Sequence, residues 1–311
     1  MSAIASAAEV TALHCARQSQ LETRLDIESG AYWALMAPKP RPCFNLQLLA
    51  ELKNYVASIK ASAGTVLADG RQHPISYGVL ASSTPGIFNL GGDLALFRML
   101  IQNQDRQSLL DYGTQCIDSL LEWHSNCGGM ITSIALVQGD ALGGGFEAAL
   151  SASVLIAEES SRLGFPEILF NLFPGMGAFS FLSRKIGRRA AEEMITSGSL
   201  YSARQLYDMG VVDVLTPDGT GEAAVRSYIR KHSKNFVGRQ GFERARNEIG
   251  PITANELIRV VEIWADTALK LQERDLKVME RLTRAQAKTV EPQCVHGQNV
   301  LPLHAGQRSH P

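Results

Sequence analysis

The sequence predicts a protein of the α/β class. Three observations support this prediction: strand-like apolar runs alternate with helical patterns, glycine-rich turns follow two of those runs, and the last part of the chain has helical periodicity throughout. Strands that alternate with helices favour a sheet with substantially parallel pairing. At 311 residues, of which 45% are hydrophobic and 20% charged, the chain can bury a large core without disulfide or metal staples.

The first half of the chain is predicted to contain strands, a long helix and a helical pair. Residues 1–22 are rich in small residues without periodicity, so we expect a flexible N-terminal segment. Residues 23–36 alternate as a strand, a turn and a second strand do. Leucines and β-branched residues recur on one helical face over 46–59. The segment 73–82 predicts a buried strand, and 94–124 predicts helices beyond the first glycine turn.

The middle third shows the clearest alternation of strands and helices. Residues 130–139 form an apolar run typical of a strand, and 140–153 predict a glycine turn that enters a helix. A further strand is expected at 154–160. Residues 164–187 predict a loop and then a helix, and 188–198 a helix that a glycine ends.

These patterns divide the chain into four regions. The N-terminal segment precedes an α/β core at 23–218, a helical C-terminal region at 219–289 and a tail at 290–311 that is predicted to be disordered. Within the helical region, apolar side chains recur at intervals of three and four residues: Leu257, Val260, Val261, Trp264, Ala268 and Leu271. We expect this stripe to be buried in the core or in a subunit interface, with contact to an apolar ligand as the alternative.

Charge, hydropathy and cysteine usage exclude several classes of function. Thirty Lys and Arg balance 31 Asp and Glu, so nothing predicts binding to nucleic acid or an anionic membrane. No apolar run reaches the roughly 18 residues of a membrane-spanning helix, and the N-terminal residues lack the basic region of a signal peptide. The five cysteines never form a CxxC pair. We therefore expect a cytoplasmic protein with reduced thiols, no metal site and no membrane insertion.

Two glycine-rich turns are the first candidates for a functional site. They read FNLGGD at 88–93 and GGGFE at 143–147, and each follows an apolar strand and precedes a helix. Glycine allows a backbone N–H to face a ligand at a helix N-terminus, and two such groups aimed at one oxygen form an oxyanion hole. Either turn alone is equally consistent with a tight connection or a phosphate loop. Neither matches GxxxxGK[ST], and Gly175-Met176-Gly177 lacks the third glycine of a dinucleotide-binding motif.

Two glutamates stand in apolar surroundings near these turns. Glu147 lies in the first predicted turn of the helix FEAALSAS, and Glu167 lies within GFPEILFNLFPG. Burying a carboxylate is costly, so such residues are candidates for a raised pKa and for proton transfer. Alternatively, Glu147 complements the helix dipole and Glu167 binds a backbone N–H. Their occurrence beside two oxyanion-type turns favours acid–base chemistry.

Together these motifs resemble the crotonase (enoyl-CoA hydratase/isomerase) superfamily, over roughly residues 25–288. The resemblance implies a crotonase-like spiral of ββα units with a helical C-terminal extension. It also implies that the N–H groups of Gly92 and Gly144 form the oxyanion hole and that Glu147 and Glu167 are catalytic. Their separation, 167 − 147 = 20, matches the hydratase arrangement. No cofactor is implied beyond the CoA or the acyl carrier protein phosphopantetheine that carries the substrate, and the superfamily suggests a trimer or a dimer of trimers.

Longer phrases are similar to the diffusible-signal-factor synthase branch of that superfamily: FNLGGDLALF, GDALGGGFEAALS, GFPEILFNLFPGMGAFSF and EIWADTAL. This resemblance implies synthesis of a cis-2-unsaturated fatty acid quorum-sensing signal. The enzyme would dehydrate a 3-hydroxyacyl thioester on acyl carrier protein and then hydrolyse the thioester. Hydratases commonly place a basic residue near the CoA nucleotide just before the first oxyanion turn, whereas residues 84–87 offer none.

Several assignments remain open at this stage. The alternatives to the synthase are an ordinary enoyl-CoA hydratase of fatty acid oxidation and a regulatory binding partner of a sensor histidine kinase. Glu147 is assigned as the base and Glu167 as the acid, with the reverse assignment as the alternative. The basic residues near the end of the 164–187 segment either contact acyl carrier protein or form a solvated helix face: Arg184, Lys185, Arg188 and Arg189. The predicted walls of an acyl tunnel are Phe170, Leu172, Met176 and Trp264.

Overall fold

The computed structural model describes residues 19–288, and its central feature is a six-stranded sheet with the order β1-β2-β5-β7-β9-β12. Strands β1 and β2 pair antiparallel, and the remaining pairs of this sheet are parallel. A second sheet has the order β11-β10-β8-β6, and β3 and β4 form a separate hairpin. The strands are β1 (Leu21–Asp26), β2 (Ala31–Met36), β3 (Thr65–Ala68), β4 (Arg71–Pro74), β5 (Tyr77–Ser82), β6 (Gly86–Asn89), β7 (Thr132–Val137), β8 (Gly139–Leu142), β9 (Val154–Glu158), β10 (Arg162–Gly164), β11 (Leu200–Ser202) and β12 (Val214–Thr216).

The helices cover the two sheets and make up the C-terminal region. The α-helices are α1 (Leu46–Ala61), α2 (Leu94–Gln102), α3 (Arg106–His124), α4 (Asn126–Gly129), α5 (Gly144–Ser151), α6 (Ala178–Ile186), α7 (Arg188–Ser197), α8 (Ala203–Asp208), α9 (Gly221–His232), α10 (Phe236–Ile249), α11 (Ala254–Ala268) and α12 (Glu273–Lys288). Two short 3₁₀ helices span Pro166–Phe170 and Ser233–Asn235.

Consecutive strands alternate between the two sheets, which produces the spiral. Strands β5, β7 and β9 lie in the six-stranded sheet, and β6, β8 and β10, which follow them directly in the chain, lie in the four-stranded sheet. After each of the first two pairs the chain enters a helix, α2 or α5. The predicted α/β class and its spiral of ββα units are therefore confirmed. Because β6 and β8 are parallel neighbours, the loops after them emerge at the same edge of the small sheet.

Three local features differ from the sequence-based expectations. Strand β1 begins at Leu21, two residues before the predicted start of the core at residue 23. The hairpin of β3 and β4 was not predicted, because its strands have only four residues each and lack apolar alternation. The predicted loop around Glu167 contains the 3₁₀ helix Pro166–Phe170.

The C-terminal helices pack on the α/β core through the predicted apolar stripe. Leu257, Val261, Trp264 and Ala268 are buried, whereas Val260 and Leu271 are partly exposed. A β-carbon on Gly113 of α3 would lie 2.4 Å from Val261 Cγ1, so α11 and α3 are in close contact. This stripe is thus part of the core of the chain itself. Residues 1–18 of the predicted flexible segment at 1–22 lie outside the described residues. The predicted tail at 290–311 lies wholly outside them.

Three of the five cysteines lie in the described part of the chain. Cys43, Cys116 and Cys127 are buried, free thiols, and Cys15 and Cys294 lie outside the described residues. Within residues 19–288 no helix is both long and apolar enough to cross a membrane, and no cluster of His, Cys, Asp and Glu has the arrangement of a metal site.

Candidate active site

The two glycine-rich turns meet at the edge of the four-stranded sheet. A β-carbon placed on Gly91 would lie 3.0 Å from the nitrogen of Gly144, and one placed on Gly144 would lie 3.5 Å from the nitrogen of Gly92. Gly91, which also has φ +92°, leaves no room for a side chain, whereas the 3.5 Å at Gly144 is an ordinary van der Waals contact. As the first residue of α5, Gly144 has an N–H with no acceptor within its own helix. The N–H groups of Gly92 and Gly144 are thus brought together, as an oxyanion hole requires.

Neighbouring hydrogen bonds hold the first turn in place. The Phe44 N–H donates to the Gly91 carbonyl at 2.8 Å, and the Gly91 N–H donates to Asn89 Oδ1 at 2.8 Å. Asp93 caps α2 by accepting from the N–H groups of Ala95 and Leu96. Its Oδ1 also lies 2.6 Å from a guanidinium nitrogen of Arg41. The turn is therefore tied to the 41–44 segment on one side and to α2 on the other.

Glu147 is a buried carboxyl with two backbone donors. Its side chain is 1% exposed, and Oε1 accepts hydrogen bonds from the N–H groups of Met176 at 2.8 Å and Ala178 at 3.0 Å. Burial raises the pKa of Glu147 to about 7, although these two N–H groups stabilise the ionised form and act in the opposite direction. The carboxyl can therefore be ionised near neutral pH despite its apolar surroundings.

Glu167 lies beside it in a different environment. Part of the residue reaches the surface, but its Oε2 is buried and has no hydrogen-bond partner among the described residues. Burial, and after it the charge of Glu147, raises the pKa of Glu167 to about 8. Both carboxyls therefore hold a proton more tightly than an exposed glutamate does. The two N–H donors at Glu147, which Glu167 Oε2 lacks, favour ionisation of Glu147 over that of Glu167.

Gly143 brings Glu167 against the second oxyanion turn. A β-carbon on Gly143 would lie 2.2 Å from Glu167 Oε1, and the residue has φ +52°. We expect Gly143→Ala to displace the Glu167 carboxyl and to lower turnover by about 10²-fold, because catalytic groups tolerate little misplacement. The measurement is kcat with an acyl thioester substrate, alongside a thermal unfolding curve.

Gly210→Ala is the matched control for this variant. Gly210 has φ +77°, but a β-carbon there meets no atom within 4 Å. Both substitutions place alanine at a positive φ, at a cost of about 1–3 kcal/mol of folding free energy. Only Gly143→Ala should also lose activity. Equal activity in the two variants would contradict the role assigned to Gly143.

A cavity of about 240 Å³ opens between these groups and extends into the apolar interior. It is lined by Gly92 and Gly144 and by both glutamates. The four predicted wall residues also line it: Phe170, Leu172, Met176 and Trp264. Trp264 in addition packs edge-on against Phe97 at 5.1 Å between ring centroids, so it is both a core residue and a wall of the cavity.

Two helices supply further walls that the sequence analysis did not identify. From α1 come Leu49, Leu52, Tyr55 and Val56, and from α3 come Tyr112, Cys116, Ser119, Leu120 and Trp123. Their helical spacing was visible in the sequence, but the same spacing is typical of ordinary core packing. Nor did any sequence signal identify the Met176 and Ala178 N–H groups as partners of Glu147, because that contact depends on the tertiary fold.

The predicted basic cluster on α6 and α7 is largely engaged within the chain. Arg184 forms an ion pair with Glu256 at 2.9 Å and also donates to the carbonyls of Gly250 and Pro251. Lys185 lies 3.0 Å from Asp213. These contacts favour a structural role for the first half of the cluster over a free surface for an acidic partner.

Comparisons with known proteins agree with this architecture. The profile of a family described as enoyl-CoA hydratase/isomerase matches residues 35–287. A probable enoyl-CoA hydratase of Bacillus subtilis is 32% identical over 131 residues, which cover 42% of this chain and 48% of that protein. The chain spans less than half the length of the curated relatives it matches.

Solved structures share the fold at low sequence identity. An enoyl-CoA hydratase from Bacillus halodurans superposes with a TM-score of 0.68 at 19% identity, covering 85% of this chain and 100% of that one. Human mitochondrial delta3-delta2-enoyl-CoA isomerase superposes with a TM-score of 0.69 at 17% identity, covering 87% of this chain and 99% of that one. With the family profile matching most of the sequence, this chain belongs to the enoyl-CoA hydratase/isomerase family, the crotonase superfamily.

Proposed function

We propose that this protein synthesises a cis-2-unsaturated fatty acid quorum-sensing signal. It dehydrates a 3-hydroxyacyl thioester, presented on acyl carrier protein, and then hydrolyses the thioester to release the free acid. The observation that carries the proposal is the pair Glu147 and Glu167 beside two adjacent glycine N–H groups in one apolar cavity. The phrases typical of the diffusible-signal-factor synthase branch narrow the reaction within the family.

In the dehydration step, the thioester oxygen binds between the N–H groups of Gly92 and Gly144. The Glu147 carboxylate removes a proton from the carbon next to the carbonyl, and negative charge accumulates on that oxygen, where the two N–H groups stabilise it. Protonated Glu167 donates its proton to the 3-hydroxyl, which leaves as water. A carbon–carbon double bond forms, and the two carboxyls have exchanged protonation states.

The hydrolytic step uses the pair in this exchanged state. The Glu167 carboxylate accepts a proton from water as the water oxygen attacks the thioester carbon. The tetrahedral oxyanion is stabilised by the same two N–H groups. Protonated Glu147 then donates its proton to the departing thiolate, the carbon–sulfur bond breaks and the fatty acid is released. Glu147 is again ionised and Glu167 protonated, so one turnover restores the starting state.

The cavity is suited to an apolar acyl chain. In the described part of the chain, no Lys or Arg lines it, and most of its walls are aliphatic or aromatic. We therefore propose that the thioester binds at the oxyanion turns and that the acyl chain extends between α1 and α3. Recognition of the carrier would depend on residues outside this cavity.

Product analysis tests the proposal. The protein is incubated with 3-hydroxydodecanoyl acyl carrier protein, and the products are separated and identified by mass spectrometry. Free cis-2-dodecenoic acid is the expected product. An enoyl thioester that accumulates without any free acid would contradict the hydrolytic step. It would instead identify an ordinary enoyl-CoA hydratase, the activity named for the Bacillus subtilis relative.

The proposal extends to the location of the enzyme, its oligomeric state and its partners. We place the enzyme in the cytoplasm as a homo-oligomer, a trimer or a dimer of trimers, and retain a sensor histidine kinase as a second partner. A pull-down with that kinase should survive replacement of both glutamates if binding is independent of catalysis. Loss of binding together with activity would contradict an independent regulatory role.

A further inference from the structure

Two buried polar groups on α3 line the same cavity as Glu147 and Glu167. Among residues 19–288, eight buried side-chain polar atoms lack a hydrogen-bond partner, and three of them belong to cavity-lining residues: Glu167 Oε2, Ser119 Oγ and Trp123 Nε1. The proposed proton transfer explains why Glu167 Oε2 has no hydrogen-bond partner in this part of the chain. Unpaired polar atoms in protein interiors are uncommon and costly, so the other two need an explanation.

Ser119 and Trp123 lie one helical turn apart, so their side chains are neighbours on one face of α3. Trp123 is 5% exposed, and the tip of its six-membered ring packs against Gly78 of β5. The indole nitrogen is at the other end of the ring system. Two polar groups therefore share an otherwise apolar stretch of wall.

Their position along α3 sets them apart from the reacting end of the cavity. The hydroxyl of Tyr112 lies 3.6 Å from where a β-carbon on Gly92 would be, so Tyr112 marks the oxyanion end. Ser119 and Trp123 follow it by seven and eleven residues, or about 10 and 16 Å along the helix axis. Counted from Cys116, which the charge of Glu147 reaches, they lie about 4.5 and 10.5 Å further along α3, so an acyl chain that follows this helix meets them beyond its reacting carbons.

The chemistry of the two groups defines what they would bind. An indole N–H only donates, and a serine hydroxyl donates or accepts, so together they suit an oxygen that accepts hydrogen bonds. A carboxylate is disfavoured there, because no cationic side chain lines the described cavity to offset its burial. A neutral hydroxyl or keto oxygen satisfies both groups without an uncompensated charge.

We propose that Ser119 and Trp123 form a specificity subsite for an acyl chain that carries a hydroxyl or keto oxygen in its distal half. This inference rests on the proposed function for the placement of the thioester. It adds that the preferred substrates are oxygenated beyond the 3-position.

Calorimetric binding tests the subsite without turnover. The probes are dodecanoyl-pantetheine amides, which lack both the 3-hydroxyl and the thioester. They are compared without a hydroxyl on the acyl chain and with a single hydroxyl moved stepwise from carbon 7 to carbon 12. At the matching carbon, the hydroxylated probe should bind the wild-type protein about tenfold more tightly than the plain probe. Ser119→Ala should remove most of this preference, and Ser119→Ala combined with Trp123→Phe should remove all of it.

Ser151→Ala is the matched control. Ser151 also lines the cavity, but its hydroxyl already donates to the Ala148 carbonyl at 2.7 Å, so the preference should be unchanged. Equal binding of plain and hydroxylated probes at every position would overturn the subsite and leave the proposed function intact. Failure of all probes to bind would overturn the acyl cavity itself. Thermal unfolding curves establish whether each variant is folded. If the variant that contains Trp123→Phe does not fold, the binding preference of Ser119→Ala alone tests the subsite.

Discussion

Replacing Glu167 by glutamine is expected to lower turnover of a 3-hydroxyacyl thioester by about 10²–10⁴-fold, the usual contribution of a positioned general acid or base. Glutamine retains the shape of the side chain but has no carboxylic proton to donate to the leaving hydroxyl. Glu147→Gln should cause a loss of the same order, because the amide cannot accept the proton from the carbon next to the carbonyl. Initial rates under saturating substrate measure both effects.

Glu243→Gln is the control for these variants. Glu243 is also a buried glutamate, 7% exposed, but it is bonded to Asn126 at 3.0 Å and does not line the catalytic cavity. Its replacement should leave kcat close to the wild-type value. Activity retained by Glu147→Gln or Glu167→Gln, or lost equally by Glu243→Gln, would show that the cavity carboxyls have no special role.

The Glu147→Gln variant is also expected to be more stable than the wild type at alkaline pH. Burial raises the pKa of Glu147 to about 7, so the folded state holds this proton more tightly than the unfolded state does. The stability contributed by the protonated group is fully present below the unfolded pKa of about 4.5 and is lost as the pH rises through about 7. Glutamine does not titrate, and its oxygen still accepts from Met176 and Ala178.

Urea unfolding at several pH values measures this effect. The free energy of unfolding of the variant, relative to that of the wild type, should increase by about 2 kcal/mol between pH 5 and pH 8. Parallel curves over this range would contradict a strongly perturbed Glu147. A substitution that lowers turnover but raises stability is characteristic of a carboxyl that is buried for chemistry and not for folding.

The candidate site residues could be predicted from the sequence because their motifs are local. The glycines at 91–92 and 143–145 lie directly after strands, and Glu147 follows within the next helical turn. Parallel pairing of β6 and β8 then brings the two turns together, which the alternation of strands and helices already implied. The relation between Glu147 and Glu167 came from the family resemblance.

What could not be predicted depends on contacts between distant segments. The walls contributed by α1 have the same periodicity as core residues, so no pattern distinguishes Leu52 facing a cavity from a leucine facing another helix. The two N–H groups that bind Glu147 follow it by 29 and 31 residues. Likewise, the unpaired atoms of Ser119 and Trp123 become evident only when the surroundings of each side chain are known.

Proton exchange at the carbon next to the thioester carbonyl tests the central claim most directly. A 3-hydroxydodecanoyl thioester or its enoyl product is incubated with the protein in D₂O, and deuterium at that carbon is followed by mass spectrometry. We expect incorporation with the wild-type protein and none above the uncatalysed background with Glu147→Gln. Absence of incorporation in the wild type, or incorporation that persists when both Glu147 and Glu167 are replaced by glutamine, would contradict the account.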